Sequence, residues 1–343
     1  MAIFIRGKLN KYKRQMVRMI ELRIKITREN AEKIAQLIKE LVQLEGEGLI
    51  VTGAEVAGAQ EERWSRAEGL AFTKPLPDYL SPPPELAGLK SGHPYLETSA
   101  AKHVGTWGQF NSFTPIKAVL RILCHTVSEK GGEAVNLQEL VDRSREIFKT
   151  AGLARYRGFP SSNKDSAVGR LVWHFITPAH EMGLVRIEGA KEIPARGWGK
   201  VMISPTKEGL EFAGLKNHIF DERGTKQVLS DAEREWMLGH LKKMDAEGYK
   251  EYSFLLEVFG ELKKGNTDIA SWLENNRRFI NYVKSWSRKA GEEKKLKKQL
   301  ANVATMFAQS KIALLRELGV ISDKRNDYTV IDKQFAEPSV SGR

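Results

Sequence analysis

Glu181-Met-Gly-Leu-Val-Arg-Ile187, a basic loop over Lys191 to Lys200, and then Val201-Met-Ile-Ser-Pro-Thr-Lys-Glu-Gly-Leu210 form the stretch on which the fold turns. A helical pattern ends in Met182-Gly183. Leu184 to Ile187 and Val201 to Ser204 then read as two short strands joined by the loop, and Thr206 opens another helix. Upstream, Val168, Leu171, Val172, Phe175 and Ile176 recur at helical spacing. Leu137, Leu140, Val141 and Ile147 do the same behind Asn136, a good capping residue. Ile116, Val119, Leu120, Ile122 and Leu123 follow Pro115, which suits a first helical turn. Residues 113–217 therefore predict three helices, a hairpin and a closing helix.

Residues 228–334 repeat that order loosely. A charged helix over Asp231 to Asp245 precedes an apolar helical face made by Phe254, Leu255, Val258, Phe259 and Leu262. Asn266 or Thr267 is placed to cap Asp268 to Leu273, and a long basic helical insert follows from Arg277 to Gln299. Ala304 to Gly319 predicts the next helix, its final glycine suited to a C-terminal cap. Val320 to Ser322 and Tyr328 to Ile331 predict a two-stranded ribbon around a turn at Asp323 to Asp327, and the residues from 335 to 343 a frayed tail.

The N-terminal third differs. Ile20, Leu22, Ile24 and Ile26 alternate with Glu21, Arg23 and Lys25, the period of a strand with one apolar face. Thr27 caps a helix carrying Ile34, Leu37, Ile38 and Leu41, and Leu49 to Thr52 reads as a second strand. Residues 1–58 thus predict a small β-α-β element with a basic N-terminus, too small to be stable alone. Pro75, Pro77, Pro82, Pro83 and Pro84 mark 59–112 as a connecting arm, in which Trp64, Tyr79, Tyr95 and Trp107 imply some packing. The expected fold class is mostly α with small β elements.

The chain of 343 residues carries 55 Lys and Arg against 43 Asp and Glu, a net charge of +12, and the excess is local. Residues 1–20 hold Arg6, Lys8, Lys11, Lys13, Arg14 and Arg18 without an acid. Residues 277–298 hold nine bases against Glu292 and Glu293. Clustered cations attract polyanions and release counterions from a phosphate backbone. Charged residues at 29% and hydrophobic ones at 41% suit folded domains. The lone cysteine, Cys124, excludes an internal disulfide and a cysteine-based zinc site. No apolar run is long enough to span a membrane, and the basic start lacks the apolar core of a secretory signal. The cytoplasm is the expected location, with no membrane partner.

Both C-terminal segments, by Glu181 to Ile187 with Ile203 to Leu210 and by Leu315-Arg-Glu-Leu-Gly-Val-Ile321 with Asp327-Tyr-Thr-Val-Ile331, resemble the winged-helix family. The resemblance implies tandem winged helices whose third helices enter the major groove of DNA and whose wings touch phosphate or the minor groove. Carried over by position, the implied contacts in the first are Ser162, Asn163, Lys164, Ser166 and Arg170, with Arg196, Trp198 and Lys200 in the wing. In the second they are Asn302, Thr305, Gln309 and Lys311, with Lys324, Arg325 and Asn326 in the wing. The basic insert adds Arg277, Arg278, Lys284, Arg288 and Lys289, interleaved with Tyr282 and Trp286, whose spacing of four fits the buried face of a helix. The long link between second and third helices, 149–163 and 276–300, departs from the compact family pattern.

Signs of catalysis are few. No phosphate-binding Gly-x-x-x-x-Gly-Lys-Ser/Thr loop, dinucleotide fingerprint or Gly-x-Ser-x-Gly elbow occurs, and the seven histidines are scattered without zincin spacing. Glu261-Leu-Lys263, with Asp245 and Glu257 upstream, has the spacing of Mg²⁺-dependent nucleases, but helical periodicity around it argues against a strand-end metal site. The reading is a non-enzymatic protein that binds duplex DNA, a site-specific regulator of transcription or a replication initiator, without cofactor or metal. The alternative is a non-catalytic subunit of a larger nucleoprotein complex of genome maintenance or defence, with protein contacts or a homodimer formed through residues 1–112.

Overall fold

The computed structural model describes residues 2–9, 20–25, 49–57, 76–97, 99–159, 169, 171–188, 193–194, 197–224, 226–286, 293–322, 324, 327–332 and 335. Contacts divide the chain into two compact units, Met1–Leu70 and Ala71–Arg343.

The smaller unit holds a three-stranded antiparallel sheet of β1 (Ala2–Leu9), β2 (Ile20–Lys25) and β3 (Leu49–Ala57) in the order β2-β1-β3. The register pairs Ile3 with Ile24 and Val56, and Ile5 with Leu22 and Ala54, with a shift between Ile5 and Gly7 on the β3 side. The two expected strands are present. The β-α-β element is corrected in one respect: β1, read from sequence only as a basic terminus, lies between β2 and β3. The strand-rich run Ala-Ile-Phe-Ile supplies the reason. The helix expected over 27–44 lies outside the described residues.

The larger unit is mostly helical, with small β elements. Its helices are α1 (Ser99–His103), α2 (Thr114–Glu129), α3 (Leu137–Thr150), α4 (Thr177–Glu181), α5 (Lys207–Gly214), α6 (Asp231–Ala246), α7 (Glu251–Lys263), α8 (Ile269–Asn275), α9 (Arg277–Trp286) and α10 (Glu293–Glu317). Three short strands, β4 (Val135–Asn136), β5 (Val185–Glu188) and β6 (Met202–Pro205), make an antiparallel sheet in the order β4-β6-β5. Helix starts follow local chemistry. Asn136 accepts from the Gln138 and Glu139 amides, Thr206 from Gly209, and Ser230 with Glu233 forms a reciprocal capping box. The α8 cap is Asp268, which accepts from Ser271, rather than Asn266 or Thr267.

Helix α2 is buried on nearly every side, which forces its two cations to find partners indoors. Lys117 reaches Glu233 of α6 at 2.8 Å and donates to the Phe212 carbonyl. All five Arg121 N–H groups are used, on Asp221 twice and on the carbonyls of Ala213, Leu215 and Leu80.

Such ties also link the expected arm and the two expected modules. From residue 76 the arm is woven into the larger unit. The Gly92 amide donates to Glu208, Lys207 to the Lys90 carbonyl, and Tyr95 to the Glu181 carbonyl. A Cβ on Gly92 would stand 1.6 Å from the Gly183 carbonyl oxygen, so only glycine fits there. Glu317, the last residue of α10, accepts from Ser112 and from the amide and hydroxyl of Thr114 and the amide of Phe113, capping α2 from the other end of the sequence. The buried apolar residues of both halves form one cluster.

The second half departs from expectation in two further places. The basic insert is not one helix: α9 ends at Trp286 and α10 begins at Glu293. Among the described residues the terminal ribbon has one bridge, Ile321 with Val330, closed by Ser322–Thr329 and Ile331–Val320 backbone bonds.

Candidate nucleic-acid interface

Just before α4 the chain makes a π-turn over Val172–Ile176, and the Thr177 amide bonds the Val172 carbonyl five residues back. Pro178 explains it: proline has no amide for the His174 carbonyl, and its ring crowds that carbonyl, so the turn widens. Leu171, Val172, Phe175 and Ile176 fill the core, which leaves Trp173 outside at 39% exposure. Among the described residues only Ile331 is another large apolar side chain so exposed. Arg186 on β5 and Lys200, at the end of a one-turn helix before β6, are also exposed, without an acidic partner among the described residues.

A second surface lies on α9. Phe279, Tyr282 and Val283 are buried, so Arg277, Asn281 and Lys284 form an exposed stripe at spacings of four and three. Helix α1 packs beside it, bringing exposed Lys102 and half-buried His103. Burial, then the nearby Arg278 and Lys102 charges, hold the His103 imidazole below its ordinary pKa, a sign of crowded cations.

Of the residues implied by sequence, Lys200, Arg277, Lys284, Asn302, Thr305, Gln309 and Lys324 are exposed. Asn302, Thr305 and Gln309 share one face of α10, with the Thr305 hydroxyl donating to the Ala301 carbonyl. Ser162, Asn163, Lys164, Ser166, Arg170, Arg196, Arg288, Lys289, Arg325 and Asn326 lie outside the described residues.

Three residues are spoken for. Lys311 is fully buried and pairs with Glu251 at 2.7 Å while reaching the Thr106 carbonyl and hydroxyl. It is removed from any groove contact, because it stands four residues from Phe307 and Leu315 on the core stripe of α10. Arg278 is half-buried, paired with Glu257 and bonded to the Ser253 hydroxyl. Trp198 packs on the core and donates to the Pro194 carbonyl, so in that wing the exposed cation is Lys200. Tyr282 is core, as its spacing implied. The side chain of Trp286 is not described. Trp173 was missed by sequence reasoning, although the buried set of its helix already leaves position 173 on the opposite side.

The nuclease-like residues do not converge. Glu261 pairs with Lys264 and accepts from Asn266, Glu257 serves Arg278 and Asn276, and Asp245 faces Lys250 and Ser253. Among the described residues no group of three or more His, Cys, Asp or Glu is placed to hold a metal ion, and no helix is long and apolar enough to cross a membrane.

Glu181, the last residue of α4, is buried beside the Glu251–Lys311 pair, and its Oε2 has no hydrogen-bond partner. The buried hydroxyls of Tyr249 and Tyr282 are likewise unpartnered. Burial first, then repulsion from Glu251, push the Glu181 carboxyl up to about 8 against the opposing pull of Lys311. At neutral pH it is a neutral acid at the junction of the two halves.

A scan against protein-family models finds no match, and neither do searches of curated proteins and of solved structures.

Proposed function

We propose that this chain is a non-enzymatic DNA-binding protein that grips its target through two winged-helix modules. The observation that carries this reading is the first module's topology. Helix α2, strand β4, helix α3, the helix ending in α4, and the β5–β6 hairpin follow one another, with sheet order β4-β6-β5. In that arrangement the outer face of the third helix and the hairpin loop are the parts left to meet a groove. The second module consists of α7, α8, α10 and the bridged hairpin at 321–330, with α9 inserted between its second and third helices. The net charge of +12 supplies the long-range attraction. Phosphate contacts come from Lys200, Lys324, Arg277 and Lys284, and base-edge contacts from Asn302 and Gln309, whose amides match adenine.

The test is a binding titration of the full chain against duplex DNA, single-stranded DNA and RNA at two salt concentrations. Each phosphate neutralised adds about 0.9 to the slope of log affinity against log salt for duplex DNA. Salt-dependent binding to DNA supports the reading, and its absence on both duplex and single strand removes it. A site-specific regulator or initiator shows a large ratio of specific to non-specific affinity. A subunit of a larger nucleoprotein complex binds weakly alone and tightly with its partners.

A further inference from the structure

Trp173 is set apart from the helical neighbours around it. Leu171, Val172, Phe175 and Ile176 are buried, whereas Trp173 keeps 39% of its surface exposed on the turn that Pro178 widens. The ring is flat, apolar and rigid. In intact duplex DNA the faces of the bases are covered by their neighbours and only their edges are open to a helix. An indole face gains most against another π-face, and such a face is free only where a base is unpaired. The strongly basic chain favours a polyanion over a basic protein surface at this position. We propose that Trp173 stacks on an unpaired nucleobase, so that the first module prefers single-stranded or locally opened DNA to an intact helix. This rests on the nucleic-acid reading above and refines its substrate class.

The experiment compares the full chain with its Trp173→Ala and Trp173→Phe variants. Each is titrated against an oligothymidylate, an intact duplex, and the same duplex with a central mismatched bubble. Because Trp173 is exposed, both variants retain the fold, which circular dichroism and the melting temperature check. The expected result is that Trp173→Ala loses about tenfold in affinity for the single strand and the bubble, and much less for the intact duplex. Trp173→Phe keeps most of the affinity but loses part of the tryptophan quenching that binding produces. A loss equal on all three DNAs, or none on any, overturns the stacking proposal while leaving the nucleic-acid reading in place. Failure of the unaltered chain to bind any of the three overturns both.

Discussion

Both halves of the larger unit run through helices to a hairpin, and the two hairpins differ. In the first, β4 gives β6 a second neighbour, so β5 and β6 become part of a sheet. In the second, the hairpin after α10 has one bridge, and the residues before α8 form a cap without a strand. The difference lies in two residues, Val135 and Asn136, one filling the core and the other capping α3 while its amide donates to the Gly199 carbonyl. A helix-then-hairpin order alone does not build a sheet. Buried charge also joins the second half to the rest. Lys311, Glu251 and Glu317 tie α10 to the arm and to α2, where the first half relies on strand pairing for its hairpin.

If the halves depend on each other this way, the largest effect comes from breaking the tie. Glu251→Ala leaves Lys311 buried without its counter-ion and the Thr106 amide without its acceptor. Removing one partner of a buried pair typically costs about 3–5 kcal/mol. Hydrogen exchange should show protection falling in α2 and α3 as well as in α7 and α10. Loss confined to the second half would mean that the halves are independent after all.

The junction also carries a pH signature. Glu181 holds its proton in the folded chain up to about 8, whereas unfolded it releases it near 4.5. Between those values the folded state binds more protons, so this group lowers stability as pH rises through that window. Glu181→Gln keeps the shape and abolishes the titration. Its stability should therefore fall less than that of the unaltered chain between pH 5 and 8. The gain at pH 8 is on the order of 2–4 kcal/mol, since each pKa unit corresponds to about 1.4 kcal/mol. Identical pH profiles in chemical denaturation would show that Glu181 is ionised within the junction.

A smaller effect separates the two surfaces. Arg277→Ala with Lys284→Ala removes two exposed cations of α9 without touching a buried group, so the fold stands. Duplex affinity should fall about tenfold at low salt, and the salt slope by about 2. Lys200→Ala alone should lower the slope by about 1. Unchanged binding after the α9 substitutions would remove α9 from the interface.

What the sequence revealed follows the range over which its signals act. Helices α2 and α3, with the Pro115 start and the Asn136 cap, and the strands β5 and β6 were legible because periodicity and capping act over a few residues. Strand β4 was not, because two residues carry no period; its pairing is fixed by residues 202 and 203, far along the chain. Lys311 shows a conflict of two signals. Its position falls on the apolar stripe with Phe307 and Leu315, but its charge pointed outward, and the acid that resolves the conflict is sixty residues away. Trp173 is the reverse case: the periodicity placed it opposite the core, yet its hydrophobic character drew no notice. The tie between the modules was not legible because Glu317 meets α2 across 203 residues.

The smallest predicted effect asks whether β4 alone explains the contrast between the halves. Asn136→Ala and Asp268→Ala each remove a helix cap, of α3 and α8, and a cap is commonly worth about 1 kcal/mol. If capping were their whole role, the two substitutions would cost the same. Asn136 also donates to Gly199 and pairs with Met202, so its loss should loosen β6 and the hairpin before it. Asn136→Ala should therefore cost a few tenths of a kcal/mol more and speed amide exchange at Ile203, while Asp268→Ala leaves exchange at Ser322 and Ile331 unchanged. Equal costs with unchanged exchange at Ile203 would assign the sheet of the first half to the β5–β6 hairpin alone, and the missing strand of the second half would no longer account for its single bridge.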